Sequence, residues 1–265
     1  MKFLIQFFLK NGIHSRRTFW MGMLSLIPLA VAVLLFLLRP LLEREGMSLS
    51  ALFPQINFAL YLHFLLPLLS VFIGAAVIGD ELDDRTLPYL LVRPLQRRWI
   101  VLSKLIAGWL TAGIMLFVSL VLTYAVMMLG GGAHLGDSFG QLMQSGGILL
   151  LGLAVYIPFF ALLGGVIKHP VLVGLLLTYG WENSVAFFPG NVKLVTVVHY
   201  LHILSPPLQQ GSQEGTRGLL SMALPQAKEI SDLSALFILL VLSALFAYLA
   251  SSLLLVKEYR LQQEA

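Results

Sequence analysis

Six long apolar stretches set the strongest limit on how this chain can fold. Each has at least 18 residues: Phe19–Leu38, Ile56–Gly79, Trp99–Leu129, Ile148–Ile167, Val171–Phe188 and Leu233–Val256. A helix of about 20 mainly apolar residues crosses the hydrocarbon core of a bilayer. Backbone groups in lipid must be satisfied within the segment, and long runs of Leu, Val and Ala suit helices rather than the short alternating strands of a barrel. The sequence predicts an all-α integral membrane protein with six transmembrane helices in a single domain, residues 1–265.

The composition excludes a soluble protein. Hydrophobic residues make up 58% of the chain and charged residues 11%, whereas soluble domains are about 25% charged. Cysteine is absent, which removes disulfides and thiolate metal sites from consideration. We find no catalytic cluster, no metal site, and no basic patch interleaved with aromatics for nucleic acid. We interpret the net charge of +4 as a consequence of membrane topology.

The positions of Lys and Arg predict the orientation, because cytoplasmic loops carry an excess of these residues. Six spans place both termini on the same side. That side collects most of the basic residues: Lys2, Lys10, Arg16, Arg17, the basic residues of the loop between spans two and three, Lys168, Lys257 and Arg260. Both termini and this loop are therefore predicted to be cytoplasmic. The segment Lys2–Lys10 is too short to cross, and is either an amphipathic elbow helix in the interface or an ordinary tail.

The loop between the second and third spans concentrates the charge of the chain. A short helix with one leucine stripe is predicted here, because Thr86 can cap it, Leu87, Leu90 and Leu91 recur at helical spacing, and Pro94 ends it. The stripe needs a covering surface, which is either the underside of the bundle or a groove on a partner protein. The charges are likewise either a solvated face or a docking surface. The charged and polar residues are Asp80, Glu81, Asp83, Asp84, Arg85, Thr86, Arg93, Arg97, Arg98 and Lys104.

This segment resembles the cytoplasmic coupling helix of the type-2 family of ABC transporter permeases. In that family an acidic turn is followed by a Thr-Leu-x-x-Leu-Leu run, an Arg-Pro break and a basic pair leading to a lysine. The corresponding residues are Asp80-Glu81, Thr86-Leu87, Leu90-Leu91, Arg93-Pro94, Arg97-Arg98 and Lys104. Arg85 stands where the family usually has glycine. The six predicted spans agree with the resemblance.

The resemblance implies a permease of the prokaryotic cytoplasmic membrane that has no enzymatic activity of its own. No Gly-Lys dipeptide occurs in the chain, so the phosphate-binding G-x-x-x-x-G-K-[ST] loop is absent. ATP and Mg are therefore expected on a separate ATP-binding-cassette ATPase subunit that docks on residues 80–104. A second permease copy, identical or related, is expected to complete the path, and export of an amphipathic molecule is favoured over import.

Polar residues inside the predicted spans are candidates for a substrate path. Glu182 is the main one, since a charged group at membrane depth is costly and is functional by default; alternatively it is a structural carboxyl, paired with Asn183 or protonated. Asn57 and His63 in the second span are weaker candidates. Small residues such as Gly74 and Gly164 predict close helix packing, within one subunit or between two.

Three other functions compete with a permease. A secondary transporter driven by an ion gradient would show inverted repeats or broken helices around buried charge, and we find no repeat. An intramembrane enzyme needs a converging catalytic set, which we do not find within the spans. A membrane scaffold without transport remains as an alternative.

Overall fold

The computed structural model describes residues 16–44, 49–83, 97–130, 139–182, 185, 194, 196–205 and 231–263, and within these ranges it contains helices and no strand. The predicted all-α class is confirmed. The predicted elbow at Lys2–Lys10 lies outside the described residues.

The helices follow one another closely along the chain, and two stretches have the wider π-helical geometry. We label the α-helices α1 to α10 and the π-helical stretches π1 and π2. In order they are α1 (Arg16–Ser25), α2 (Ile27–Leu37), α3 (Arg39–Arg44), α4 (Leu49–Ile56), π1 (Asn57–Leu65), α5 (Leu66–Asp83), α6 (Arg97–Gly130), α7 (Phe139–Val166), α8 (Pro170–Leu175), π2 (Leu176–Glu182), α9 (Val197–Leu204) and α10 (Asp232–Gln263).

Among the described residues, five continuous helices are long and apolar enough to cross a membrane: Arg17–Leu37, Leu52–Gly79, Trp99–Gly130, Phe139–Val166 and Asp232–Leu253. They correspond to the predicted spans one, two, three, four and six, and we number them accordingly. Span four begins nine residues before the predicted Ile148 because the helix continues through polar residues. One of these, Gln144, donates from Nε2 to the carbonyl oxygen of Leu204 at 2.9 Å. The polar residues from Phe139 to Gly147 are therefore part of the helix.

The predicted fifth span, Val171–Phe188, is described as a helix only over its first part. The α8–π2 helix covers residues 170–182, which at 1.5 Å per residue is at most about 20 Å long. The helix α9 packs between spans two, four and six. Its Leu201 is fully buried and lies beside Gly152, midway along α7. Of the predicted fifth span, the structure thus describes a helix over residues 171–182.

Spans two and four form the closest helix pair. A Cβ built on Gly74 would lie 2.6 Å from the carbonyl oxygen of Ile157, and one built on Gly164 would lie 2.6 Å from that of Ala75. Small side chains allow helix backbones to approach this closely in lipid. The sequence did not distinguish packing within one subunit from packing between two. For Gly74 and Gly164, the close contacts lie within one subunit.

Pro158 and Pro67 each lie beside an altered hydrogen bond in their span. Pro158 in α7 has no N–H to donate to the carbonyl of Ala154, four residues earlier. Ser243 of span six donates its hydroxyl to that carbonyl oxygen at 2.8 Å. In span two, Leu66 directly precedes Pro67. The N–H of Leu66 donates to the carbonyl oxygen of Tyr61, five residues earlier. A π-helical turn is thus present next to the proline.

Candidate functional site

The ends of the charged loop lie at one end of the bundle. Asp80, Glu81 and Asp83 occupy the last turn of α5, and Arg97 and Arg98 occupy the first turn of α6. Their backbones are helical, and their side chains are not described. The other predicted docking residues lie outside the described residues: Asp84, Arg85, Thr86, Leu87, Leu90, Leu91, Arg93 and Pro94.

Two basic side chains at this end of the bundle reach the backbone of span two. Lys104 donates from Nζ to the carbonyl oxygen of Val77 at 3.5 Å. Arg17, at the start of span one, donates to the carbonyl oxygen of Phe72. Gly165 near the end of span four lies close to Leu253 near the end of span six. These contacts gather the start of spans one and three and the end of spans two, four and six at the end where the loop begins.

Glu182 accepts two hydrogen bonds at the end of π2. The hydroxyl of Tyr156 donates to its Oε2 atom at 2.6 Å, and the backbone N–H of Val197 donates to the same carboxylate. Val197 is the first residue of α9, and the first N–H groups of a helix have no partner within the helix. The Tyr156 ring stacks on Phe160 with centroids 5.8 Å apart, which fixes its direction. Glu182 is therefore held between α7 and the start of α9.

A cleft of about 770 Å³ opens beside Glu182. Span four forms its floor, the α8–π2 helix forms one wall and span six forms the other. Its polar side chains belong to Tyr156, Thr196 and Glu182, and most of its surface is apolar. The larger apolar side chains that line it are Phe159, Leu176, Leu177, Trp181, Leu242 and Phe246.

The four residues proposed for a substrate path do not share one site. Asn57 is buried elsewhere and donates from Nδ2 to Ser145 Oγ at 2.6 Å. His63 has its ring centroid 4.5 Å from that of Phe58. Neither residue lines the cleft, and Asn183 lies outside the described residues. Of the three proposed residues that the structure describes, Glu182 alone lines the cleft.

Tyr156 is the residue of this site that the sequence analysis missed. Its hydroxyl lies in the middle of an apolar span, and a buried phenol usually has a hydrogen-bond partner. This signal could have paired it with the nearest acid in a neighbouring predicted span. Within the ranges that the structure describes, no group of three or more His, Asp or Glu residues is placed to hold a metal ion.

Comparison with known proteins identifies the family. Residues 8–181 match a family described as "ABC-2 family transporter protein". The match covers more than half of the 265 residues, including spans one to four and the charged loop. No curated protein matches the sequence significantly. The charged loop and the helix pairs around it thus lie inside the matched region, and the chain belongs to the ABC-2 family of transporter proteins.

Proposed function

We propose that this chain is the permease subunit of an exporter and is driven by a separate ATP-binding-cassette ATPase docked on residues 80–104. The family assignment makes it a membrane component of an ABC transporter. In the proposed cycle, ATP and Mg bind to the ATPase subunit. Closure of two such subunits moves the loops and switches the spans between inward-open and outward-open states.

The observation that carries the proposal is the distribution of charge at the loop ends. Acidic residues lie in the last turn of α5, and Arg97 and Arg98 lie in the first turn of α6. A helix favours negative charge at its N-terminus and positive charge at its C-terminus, by about 0.3–1 kcal/mol per group. Both sets therefore oppose the dipole of the helix that carries them. Charges kept at such a local cost are expected where a second molecule pairs with them, and they would set docking register and association rate.

The contacts at this end of the bundle support transmission of motion from the loop. Lys104 of span three and Arg17 of span one both donate to carbonyl oxygens of span two. Span two packs backbone to backbone against span four. A displacement at the loop would thus be carried into three neighbouring spans.

The proposal also covers the orientation of the loop, the membrane, the second permease and the substrate. The loop would face the cytoplasm of a prokaryote, and the chain would lie in the inner membrane. A second permease, identical or related, would complete the path. Since Gly74 is occupied by contacts inside the subunit, the seam would form on other faces. An amphipathic substrate is favoured because the cleft beside Glu182 is largely apolar, and outward transport is the direction that the family resemblance favours.

Charge reversal in the loop tests the docking role. The full chain carrying Asp83→Lys, Asp84→Lys and Arg97→Glu would be purified from native membranes, and co-purifying proteins identified by mass spectrometry. We expect the unaltered chain to retain an ATPase with a G-x-x-x-x-G-K-[ST] loop and the triple variant to lose it, because paired charges become like charges.

A matched control is Asp232→Lys, an exposed charge reversal in the first turn of α10. Asp232 lies at the opposite end of span six from the loop, so this variant should retain the ATPase. Survival of the complex in the triple variant would show that the loop is not the docking site.

A further inference from the structure

The cleft beside Glu182 has the shape of a site for one amphipathic molecule. Its volume of about 770 Å³ falls within the range of ligand pockets, about 300–1,000 Å³. Trp181 and Leu176, which line it, are 54% and 69% exposed, so the cleft is open along the α8–π2 helix. Molecules dissolved in the bilayer could therefore reach it without crossing the bundle.

The polar groups of the cleft are gathered at one end. Glu182, Tyr156 and Thr196 lie together, and from there the walls run down α8–π2 to Val173 and down span six to Phe246. Val173 and Glu182 are nine positions apart, a distance of about 13 Å along the helix. The cleft is thus a polar pocket followed by an apolar channel, which matches a headgroup followed by a tail.

The polar end of the cleft carries one acidic side chain, that of Glu182. No Lys or Arg lines the cleft among the residues that the structure describes. A carboxylate offers about four acceptor sites, and Tyr156 and Val197 supply two donors. The remaining acceptor positions can take a further donor from the cleft. An ionised carboxylate at membrane depth is costly, and such groups usually pair with an opposite charge.

We propose that this cleft binds a cationic amphiphile, with its ammonium group against the Glu182 carboxylate and its alkyl tail between α8–π2 and span six. The inference deepens the proposed function, since it gives the chemical class of the transported molecule. An anionic or uncharged amphiphile of the same tail length would lack the charge pairing.

Quenching of Trp181 fluorescence by brominated amphiphiles tests the site. The isolated full chain, with Trp20→Phe and Trp99→Phe to reduce background, would be placed in nanodiscs without an ATPase. It would be titrated with bromododecyl-trimethylammonium, bromododecyl sulfate and bromododecyl maltoside. The signal from Trp181 is the difference between this protein and the same protein carrying Trp181→Phe.

We expect saturable quenching by the ammonium probe at concentrations about tenfold lower than for the other two headgroups, and Glu182→Gln should abolish this preference. The indole of Trp109, which donates to the carbonyl oxygen of Leu150 at 2.9 Å, reports whether the variant is folded. If Glu182→Gln does not fold, Leu242→Phe provides the decisive comparison. That change fills the apolar channel and should weaken binding of the ammonium probe.

Two results would overturn the site: equal quenching by the three probes in the otherwise unaltered cleft, or an unchanged ammonium preference in a folded Glu182→Gln protein. The loop variant Asp83→Lys/Asp84→Lys/Arg97→Glu should bind the ammonium probe normally. Failure of ATPase docking and failure of amphiphile binding are thus measured separately.

Discussion

Single polar side chains decide where this apolar bundle is held together. Glu182 depends on Tyr156, and the carbonyl freed by Pro158 depends on Ser243. Both contacts involve span four at the level of the cleft. No buried side-chain nitrogen or oxygen among the described residues lacks a hydrogen-bond partner, as expected where water is scarce. The local stability of the cleft therefore depends on these few groups.

Tyr156→Phe is expected to destabilise the protein by about 1–3 kcal/mol, because it removes a hydrogen bond to a carboxyl group that is mostly buried. Thermal unfolding in nanodiscs measures the change. Tyr248→Phe is the control. Because Tyr248 is 60% exposed on span six, this variant should have the same unfolding temperature as the unaltered chain. Equal stability of the two variants would mean that the contact with Glu182 adds nothing.

Ser243→Ala is expected to cost about 1–3 kcal/mol because it leaves the Ala154 carbonyl oxygen without its side-chain donor. In a Pro158→Ala background the new N–H can donate to Ala154, and the same serine change should then cost less. A double-mutant cycle on the free energy of unfolding measures this coupling. Additive effects would show that Ser243 does not compensate for the proline.

At the scale of helices, spans two and four form the central pair and the α8–π2 helix lies against them. Gly74 and Gly164 set the distance between the pair. Gly174 of α8 likewise faces Val71 and Phe160 closely. The hydroxyl of Tyr179 in π2 donates to the carbonyl oxygen of Phe64 in π1 at 2.7 Å. This contact between the two π-helical stretches thus joins the α8–π2 helix to span two.

Gly74→Ala and Gly164→Ala should each destabilise the protein by about 1–3 kcal/mol, because the added methyl group would overlap a backbone carbonyl that cannot move freely. Gly147→Ala in the same span as Gly164 is the matched control, since nothing lies within 4 Å of its added Cβ. Thermal unfolding of the three variants checks this. If Gly147→Ala were as destabilised as the other two, the cost would not come from the close contact.

The sequence predicted the helices better than their contacts. The ends of the second and third spans agree with prediction to within a few residues, because abrupt changes from apolar to charged residues mark Gly79 and Trp99. The π-helical geometry of Leu176–Glu182 in the predicted fifth span could not be predicted, since an apolar run gives no signal that distinguishes π-helical from α-helical hydrogen bonding. The Tyr156–Glu182 contact was missed because it depends on how separate helices pack. The glycine pattern was visible, but periodicity alone does not distinguish contacts within a subunit from contacts between subunits.

At the scale of the whole molecule, the two ends of the bundle differ in character. The end with the loop carries acidic and basic helix ends, with Arg17 and Lys104 attached to span two. The opposite end carries the start of span four, where Gln144 holds the end of α9. This difference between the two ends predicts that the end with the loop faces the cytoplasm.

Labelling of single cysteines tests this orientation directly, because the chain has no cysteine of its own. In intact cells, a membrane-impermeant maleimide should label Asp232→Cys and leave Asp84→Cys unlabelled until the cells are opened. Asp84→Cys labelled in intact cells would place the loop outside. In that case no ATPase in the cytoplasm could drive the protein through it.

The close packing of Gly74 and Gly164 has a mechanical consequence. Two helices in backbone contact cannot slide past each other without losing that contact, so spans two and four should travel as one rigid lever. Span six and the α8–π2 helix would then move relative to this lever, and the cleft would change width. Spin labels should keep a constant distance between spans two and four through an ATP cycle, while the distance from span four to span six changes.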